Sequence, residues 1–184
     1  MKRKSLLLSG TAMALAILAG AAISAQDKYT VAVPGGLTFS EFKGYESWQV
    51  INVSQSATAI AVILGNPAMI KAYQAGIPAN GKPVPDGAKF AKIHWEPRQN
   101  VSAPGAPTVA GKQTNVDFMV KDSKRFADGG GWGYAVFEYD AATDSFRPGD
   151  AQSKPPQAND AKCGFACHTI VKTRDFVFTE YATR

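Results

Sequence analysis

The stretch DGGGWGYAVFEYD, residues 128–140, joins a run of glycines to an aromatic and β-branched segment. Consecutive glycines favour a tight turn because they tolerate positive φ, and the residues that follow them have high strand propensity. Similar stretches rich in Val, Ile and aromatic residues occur at 45–56, 58–66, 88–98 and 115–123. Strand segments separated by turn residues predict a mostly antiparallel sheet.

One helix is predicted between the second and third of these strands. Asn66 can cap its N-terminus, Pro67 suits its first turn, and Gly76 ends it. Met69 and Ile70 share one apolar face of this helix, which we expect to pack on the sheet. The fold class is therefore α+β, a mostly antiparallel β-sheet with a few helices.

The polar stretch at residues 141–160 is rich in Pro, Asp and Ser, which predicts an exposed loop before the last part of the chain.

The first residues, MKRKSLLLSGTAMALAILAGAAISAQ, have the layout of a secretory signal peptide. A basic start precedes an apolar run, and small residues follow with a plausible cleavage site after Ala25. We therefore expect a signal peptide at 1–25, a single domain at 26–184 and a periplasmic location. An uncleaved membrane anchor is the alternative, although the apolar run is interrupted by Ser, Thr and Gly.

The charge balance of the expected mature chain is close to neutral. The 184-residue chain carries 20 basic and 15 acidic residues, and cleavage after Ala25 leaves 17 basic against 15 acidic, a net charge of +2. No cluster of Lys and Arg is interleaved with aromatic residues, so a nucleic-acid partner is not expected. No later stretch is apolar enough to span a bilayer, so we expect no membrane association after signal cleavage.

Both cysteines and one of the two histidines lie within AKCGFACHTIV, residues 161–171. Cys167 directly followed by His168 matches covalent haem attachment, with one thioether and the axial imidazole from adjacent positions. Three residues separate Cys163 from Cys167, one more than usual, and Gly164 gives the backbone freedom for a bulged turn. A Cys163–Cys167 disulfide and a small metal site remain alternatives.

Three segments resemble the cytochrome P460 family: DGAKFAK (86–92), VKDSKRFADGGGWGYAVF (120–137) and CGFACHTIVKTRDFVFTEY (163–181). The similarity spans roughly residues 40–184. It implies an exported c-type cytochrome with a mainly β fold, haem c attached near the C-terminus through Cys163 and Cys167, His168 as iron ligand, and a homodimer.

The resemblance also implies roles for a lysine and a carboxylate. In P460 proper, a lysine five residues after the glycine of an Asp-Gly pair bonds covalently to the haem, and Asp86-Gly87 places Lys92 at that position. On a strand, Lys92 shares a face with His94, while Lys89 points the other way. The family carboxylate falls on Asp117, which could relay protons. A solvated Lys92 and an exposed Asp117 are the alternatives.

The chemistry implied by the resemblance is hydroxylamine oxidation at a five-coordinate haem, with Lys92 and Asp117 as catalytic residues and a soluble c-type cytochrome as electron acceptor. One alternative is a nitric oxide-binding protein like β-type cytochrome c′, which lacks the lysine. Another is an electron-transfer cytochrome with His94 as second axial ligand. We favour His94 as a residue that lines the distal wall.

Overall fold

The computed structural model describes residues 27–33, 36–153 and 162–183, without the side chains of Lys162 and Cys163. The predicted signal peptide at 1–25 lies outside these residues. Within them, no helix is long and apolar enough to cross a membrane.

A six-stranded antiparallel sheet forms the centre of the fold, and its strand order follows the chain from β1 to β6. Each strand therefore pairs with the next one along the sequence, as expected for strands joined by short turns. The mostly antiparallel sheet with few helices confirms the predicted α+β class. The strands are β1 (Gln49–Gln55), β2 (Ile60–Gly65), β3 (Lys89–Gln99), β4 (Thr108–Lys121), β5 (Trp132–Asp140) and β6 (Ser145–Pro148).

The helical parts of the described chain are short. Helix α1 (Pro67–Gln74) follows β2. Helix α2 (Lys162–His168) precedes residues 169–183, here called the C-terminal segment. Asn66 caps α1 as predicted, because its side chain accepts a hydrogen bond from the amide of Met69 at 3.0 Å. The 3₁₀ turns are Lys28–Thr30, Phe39–Phe42, Tyr45–Ser47, Ala127–Gly129 and Thr169–Arg174.

Three predicted boundaries are wrong. The strand predicted at 45–56 begins only at Gln49, because Gly44 adopts φ 83° and starts a 3₁₀ turn that buries Tyr45. β4 begins at Thr108 rather than 115, since its first residues pair with the end of β3. The predicted loop at 141–160 contains β6, in which Phe146 packs on Phe39 with ring centroids 4.9 Å apart.

One face of the sheet, here called the sealed face, carries Phe118 and Phe137 among its buried residues. Residues 36–45 cover it with aromatic side chains: Phe42 stacks on Phe118 at 4.0 Å, and Phe39 contacts Phe137 at 4.9 Å. Burying an aromatic side chain of this size contributes about 1.5–3 kcal/mol. This face therefore supplies much of the hydrophobic stabilisation.

The opposite face, here called the cavity face, is covered by α1, α2 and the C-terminal segment. Met69 and Ile70 of α1 are buried against it, as predicted. The Tyr73 hydroxyl donates to the carbonyl of Thr179 at 2.7 Å, and the Tyr73 ring stacks on Tyr181 at 5.3 Å. These contacts hold the C-terminal segment against α1 and place it beside the sheet.

Candidate functional site

A cavity of about 340 Å³ lies between the cavity face, α2 and the C-terminal segment. Lys92, His94 and Asp117 line it from the sheet, and Cys167 and His168 line it from the end of α2. Residues two apart on a strand share a face, which explains why alternate residues of β3 reach the cavity together.

A row of four cross-strand neighbours crosses the sheet beneath this cavity. Ile63 pairs with Lys92, Lys92 pairs with Asp117, and Asp117 pairs with Val136. All four line the cavity. The lysine and the carboxylate are therefore lateral neighbours between two apolar residues. Directly opposite residues in an antiparallel pair are the closest side-chain neighbours that a sheet offers.

The Asp117 carboxylate is held by hydrogen bonds at both oxygens. His94 Nε2 donates to Oδ2 at 2.9 Å, and the Asn115 amide donates to Oδ1 at 2.5 Å. Thr114 donates to Asn115 Oδ1 at 2.8 Å, which orients the amide nitrogen toward the carboxylate. Donors at both oxygens fix the orientation of the carboxylate at the cavity wall.

His94 lines the cavity, as favoured from the sequence, with its Nε2 proton donated to Asp117. A nitrogen that carries a proton has no lone pair for iron, so this arrangement does not offer Nε2 as a second axial ligand.

His168 is the last residue of α2, and its ring lies between Tyr134 and Phe178, with centroids 4.9 and 4.8 Å away. Its Nδ1 donates to the carbonyl oxygen of Phe176 at 2.7 Å. Burial lowers the pKa of His168, although the hydrogen bond to Phe176 acts in the opposite direction. The imidazole is therefore neutral near pH 7, with its Nε2 lone pair available to a metal.

The cysteine segment is helical, so the backbone at Gly164 forms part of α2 and not the bulged turn that its flexibility would allow. Positions 163 and 167 are four residues apart in α2, and residues at this spacing lie one helical turn apart. Gly164 serves packing instead, because a Cβ there would stand 2.6 Å from the Cβ of Tyr134. The Cys167 thiol is free among the described side chains. The side chain of Cys163 lies outside the described part.

The structure brings Lys92, Asp117, Cys167 and His168 to one cavity. Arg98 and Arg125 are not among the described residues that line it. Arg125 instead bonds Glu41 and the carbonyl of Gly36 beside the sealed face. Within the described ranges, no cluster of three or more metal-binding side chains occurs.

Sequence reasoning missed two parts of this site. The hydrogen bond from His94 to Asp117 depends on the β3–β4 register, which no local pattern reveals. The alternation of Asn115 and Asp117 was a usable signal, since it places both on one strand face. The carbonyl that accepts from His168 belongs to the backbone of Phe176, so no pattern of side chains predicts this hydrogen bond.

The donor set fits a covalently attached haem. A neutral imidazole with an open Nε2 follows directly after a free thiol, and both line a cavity that Phe90, Met119 and Val136 make largely apolar on the sheet side. A thiol next to an axial histidine is the arrangement of c-type haem proteins. The described side chains are thus of the kind that c-type haem proteins use.

The comparison with protein families agrees with this class. The family described as Cytochrome P460 matches residues 42–179. The chain belongs to the cytochrome P460 family, which implies a c-type haem. A search of curated proteins found no match.

Proposed function

We propose that this protein is an exported mono-haem c-type cytochrome that oxidises hydroxylamine. The observation that carries the proposal is the pairing of Lys92 with Asp117 on the wall of the cavity that His168 also lines. A lysine for the haem, a carboxylate for protons and an imidazole for iron are the three groups that this chemistry uses.

Cys163, Cys167 and His168 would hold the haem, with His168 as the single protein ligand to iron. When bound, the haem supplies one-electron redox chemistry and a coordination position for a small nitrogen compound. Lys92 is the candidate for a covalent bond to the haem edge. Such a C–N bond replaces one N–H and one C–H bond, so it is a two-electron oxidation with molecular oxygen or peroxide as oxidant.

Asp117 would accept protons that hydroxylamine releases as electrons leave it. Its carboxylate lines the cavity in a fixed orientation, because His94 and Asn115 hold both oxygens. General-base catalysis needs a positioned acceptor within hydrogen-bond reach of the substrate proton.

Nitric oxide binding without turnover is the second candidate. The apolar part of the sheet-side wall, formed by Ile63, Phe90, Met119 and Val136, supports it because an uncharged diatomic ligand needs no polar partner. The cross-strand neighbours Lys92 and Asp117 favour hydroxylamine oxidation instead. A plain electron carrier would need the other ring nitrogen of His94, Nδ1, as the second iron ligand, because Nε2 is engaged by Asp117.

The setting of this activity is also part of the proposal. Residues 1–25 would direct export to the periplasm and be removed after Ala25. A soluble c-type cytochrome would accept the electrons, and the mature chain would be a homodimer without nucleic-acid or membrane partners. N-terminal sequencing and sedimentation analysis of the exported protein test the cleavage site and the dimer.

The decisive experiment uses protein matured in a haem-attaching host. Intact-mass measurement should give one haem per chain, two hydrogens lighter than simple thioether attachment if Lys92 is bonded. Once the mass change of the substitution itself is subtracted, Lys92→Ala should show the two hydrogens restored. It should also change the absorption spectrum and abolish hydroxylamine oxidation. Lys89→Ala is the matched control, because Lys89 lies on the same strand and its ammonium bonds the Glu41 carbonyl away from the cavity.

Each result bears on a different part of the proposal. A Lys92→Ala spectrum identical to that of the parent protein would refute the lysine–haem bond and favour nitric oxide binding. Colourless protein with Cys163 and Cys167 joined in a disulfide would overturn the whole proposal.

A further inference from the structure

A buried ion pair lies beneath the C-terminal segment, outside the set of residues that line the cavity. Lys121 Nζ contacts the Asp175 carboxylate oxygens at 2.8 and 3.0 Å, with the two side chains only 7% and 13% exposed. The ammonium also donates to the Gly130 carbonyl at 3.0 Å. Lys121, at the end of β4, therefore joins the turn that contains Gly130 to the C-terminal segment.

Asp175 is held in place from several directions. Its Oδ2 accepts from the amide of Val84 at 2.7 Å, and its carbonyl accepts from Trp132 Nε1 at 2.8 Å. Asp175 and Phe176 both adopt left-handed backbone angles, φ 49° and 64°. Non-glycine residues rarely adopt this conformation, and it persists where surrounding contacts impose it. The contacts of Asp175 supply that constraint.

The constrained turn presents the carbonyl that binds His168. The Phe176 oxygen, one residue after Asp175, accepts the His168 Nδ1 proton at 2.7 Å. Lys121 thus acts on the imidazole indirectly. It contacts the Asp175 side chain, and the next residue, Phe176, provides the carbonyl that accepts from His168. Buried ion pairs are poor sources of net stability, because desolvation offsets much of the attraction. A role in placing the turn explains better why this pair is buried here.

The hydrogen bond at Nδ1 matters for any metal on Nε2. A carbonyl that accepts the second ring proton fixes the tautomer and the ring orientation, and it raises the basicity of the ligand nitrogen. A more basic imidazole stabilises ferric iron relative to ferrous iron and strengthens the iron–nitrogen bond. The position of the Phe176 carbonyl therefore bears on both quantities.

We propose that Lys121 and Asp175 are positioning residues that set the strength of the His168–iron bond and the reduction potential of the haem. This inference rests on the proposed function only in that His168 carries the iron. Trp132 acts in the same way through its bond to the Asp175 carbonyl.

The test is resonance Raman spectroscopy of the ferrous holoprotein together with redox titration. Asp175→Asn should lower the iron–histidine stretching frequency and raise the reduction potential. Because this variant also leaves the Lys121 charge unpaired, the double variant Lys121→Gln/Asp175→Asn removes both charges. The double variant should still show a lowered iron–histidine stretching frequency and a raised reduction potential. Its net charge equals that of the parent protein, so a change in net charge cannot explain these shifts.

Two further variants complete the design. Trp132→Phe removes the hydrogen bond to the Asp175 carbonyl without changing charge, so it should also lower the iron–histidine stretching frequency. This variant keeps the test available if Asp175→Asn does not fold. Glu180→Gln is the matched control. It removes one negative charge from the same segment, where Glu180 forms an exposed pair with Arg174, and it should change neither quantity.

The outcomes separate this inference from the proposed function. If the parent protein shows no iron–histidine band that His168→Ala removes, the iron assignment fails and the inference fails with it. If the band is present but unchanged in Asp175→Asn, the double variant and Trp132→Phe, the positioning role is overturned while the proposed function stands.

Discussion

The two faces of the sheet use the same strands for opposite purposes. On β4, Val116 and Phe118 are fully buried in the sealed face, while Asp117 between them lines the cavity. The sealed face holds aromatic rings in contact, and the cavity face places charged and polar side chains among apolar ones. One face can therefore carry stability while the other carries chemistry, because alternate residues point to opposite sides.

The largest expected difference is in the cost of truncating an aromatic ring on each face. Phe39→Ala should lower the free energy of unfolding by about 3–5 kcal/mol, because its buried ring contacts five other aromatic rings. Phe178→Ala, at the cavity and 46% exposed, should cost about 1 kcal/mol or less. Denaturant unfolding of both variants measures the two losses in free energy of unfolding. Equal losses would contradict the proposed difference between the two faces.

The second prediction concerns chemistry without loss of stability. Asp117→Asn should reduce hydroxylamine oxidation by about 100-fold or more, the usual scale for losing a general base. The amide keeps the shape of the side chain, and His94 Nε2 can accept from its NH₂ group in the other tautomer, so the unfolding midpoint should move little. Steady-state kinetics with a c-type cytochrome acceptor measure the rate, and exposed Asp128→Asn is the matched control. Unchanged turnover in Asp117→Asn would remove the proton-accepting role.

The third prediction addresses how closely α2 approaches the cavity face. Gly164→Ala should destabilise the protein by about 1–3 kcal/mol, the cost of overpacking, because the new methyl group would meet Tyr134. The displacement should also change the haem absorption spectrum. Gly129→Ala is the control, since its added Cβ would find its nearest neighbour at 3.9 Å. A Gly164→Ala protein with parental stability would show that the helix has room to move.

The smallest expected effect lies away from both faces, in the contact that joins Asp86 to the turn after β4. Ser123 donates from its hydroxyl at 2.7 Å and from its amide at 2.9 Å, and these bonds lower the pKa of Asp86. Ser123→Ala should raise that pKa toward its ordinary value, while the amide bond remains. NMR titration of the Asp86 carboxyl carbon measures the shift, with Ser102→Ala as control.

The sign of the linked stability change follows from this direction. A carboxyl whose pKa is lowered by folding contributes stability above its unfolded pKa, and the contribution is lost as pH falls through the folded pKa. The stability difference between the parent protein and Ser123→Ala should therefore shrink on acidification. A difference that grows at low pH would contradict this assignment.

Much of the fold and part of the site could be predicted from local sequence. Alternation and turn residues indicated the antiparallel sheet, Asn66 and Pro67 indicated α1, and strand periodicity placed Lys92 beside His94 on one face. These inferences succeed because hydrophobic period and capping are properties of adjacent residues. β6 was missed because four residues, with only Phe146 buried, give too short a signal within a polar stretch.

The sequence alone indicated five of the six strands, the candidate haem-binding segment and the residues eligible to act in the site. Only the tertiary structure decided that Lys92 faces Asp117, that His94 and Asn115 hold that carboxylate, and that Phe176 accepts the proton of His168. Those relations depend on strand register and on a turn held by Lys121 and Asp175, which are distant in sequence. Local propensity acts over a few residues, whereas these contacts exist only after the chain has folded.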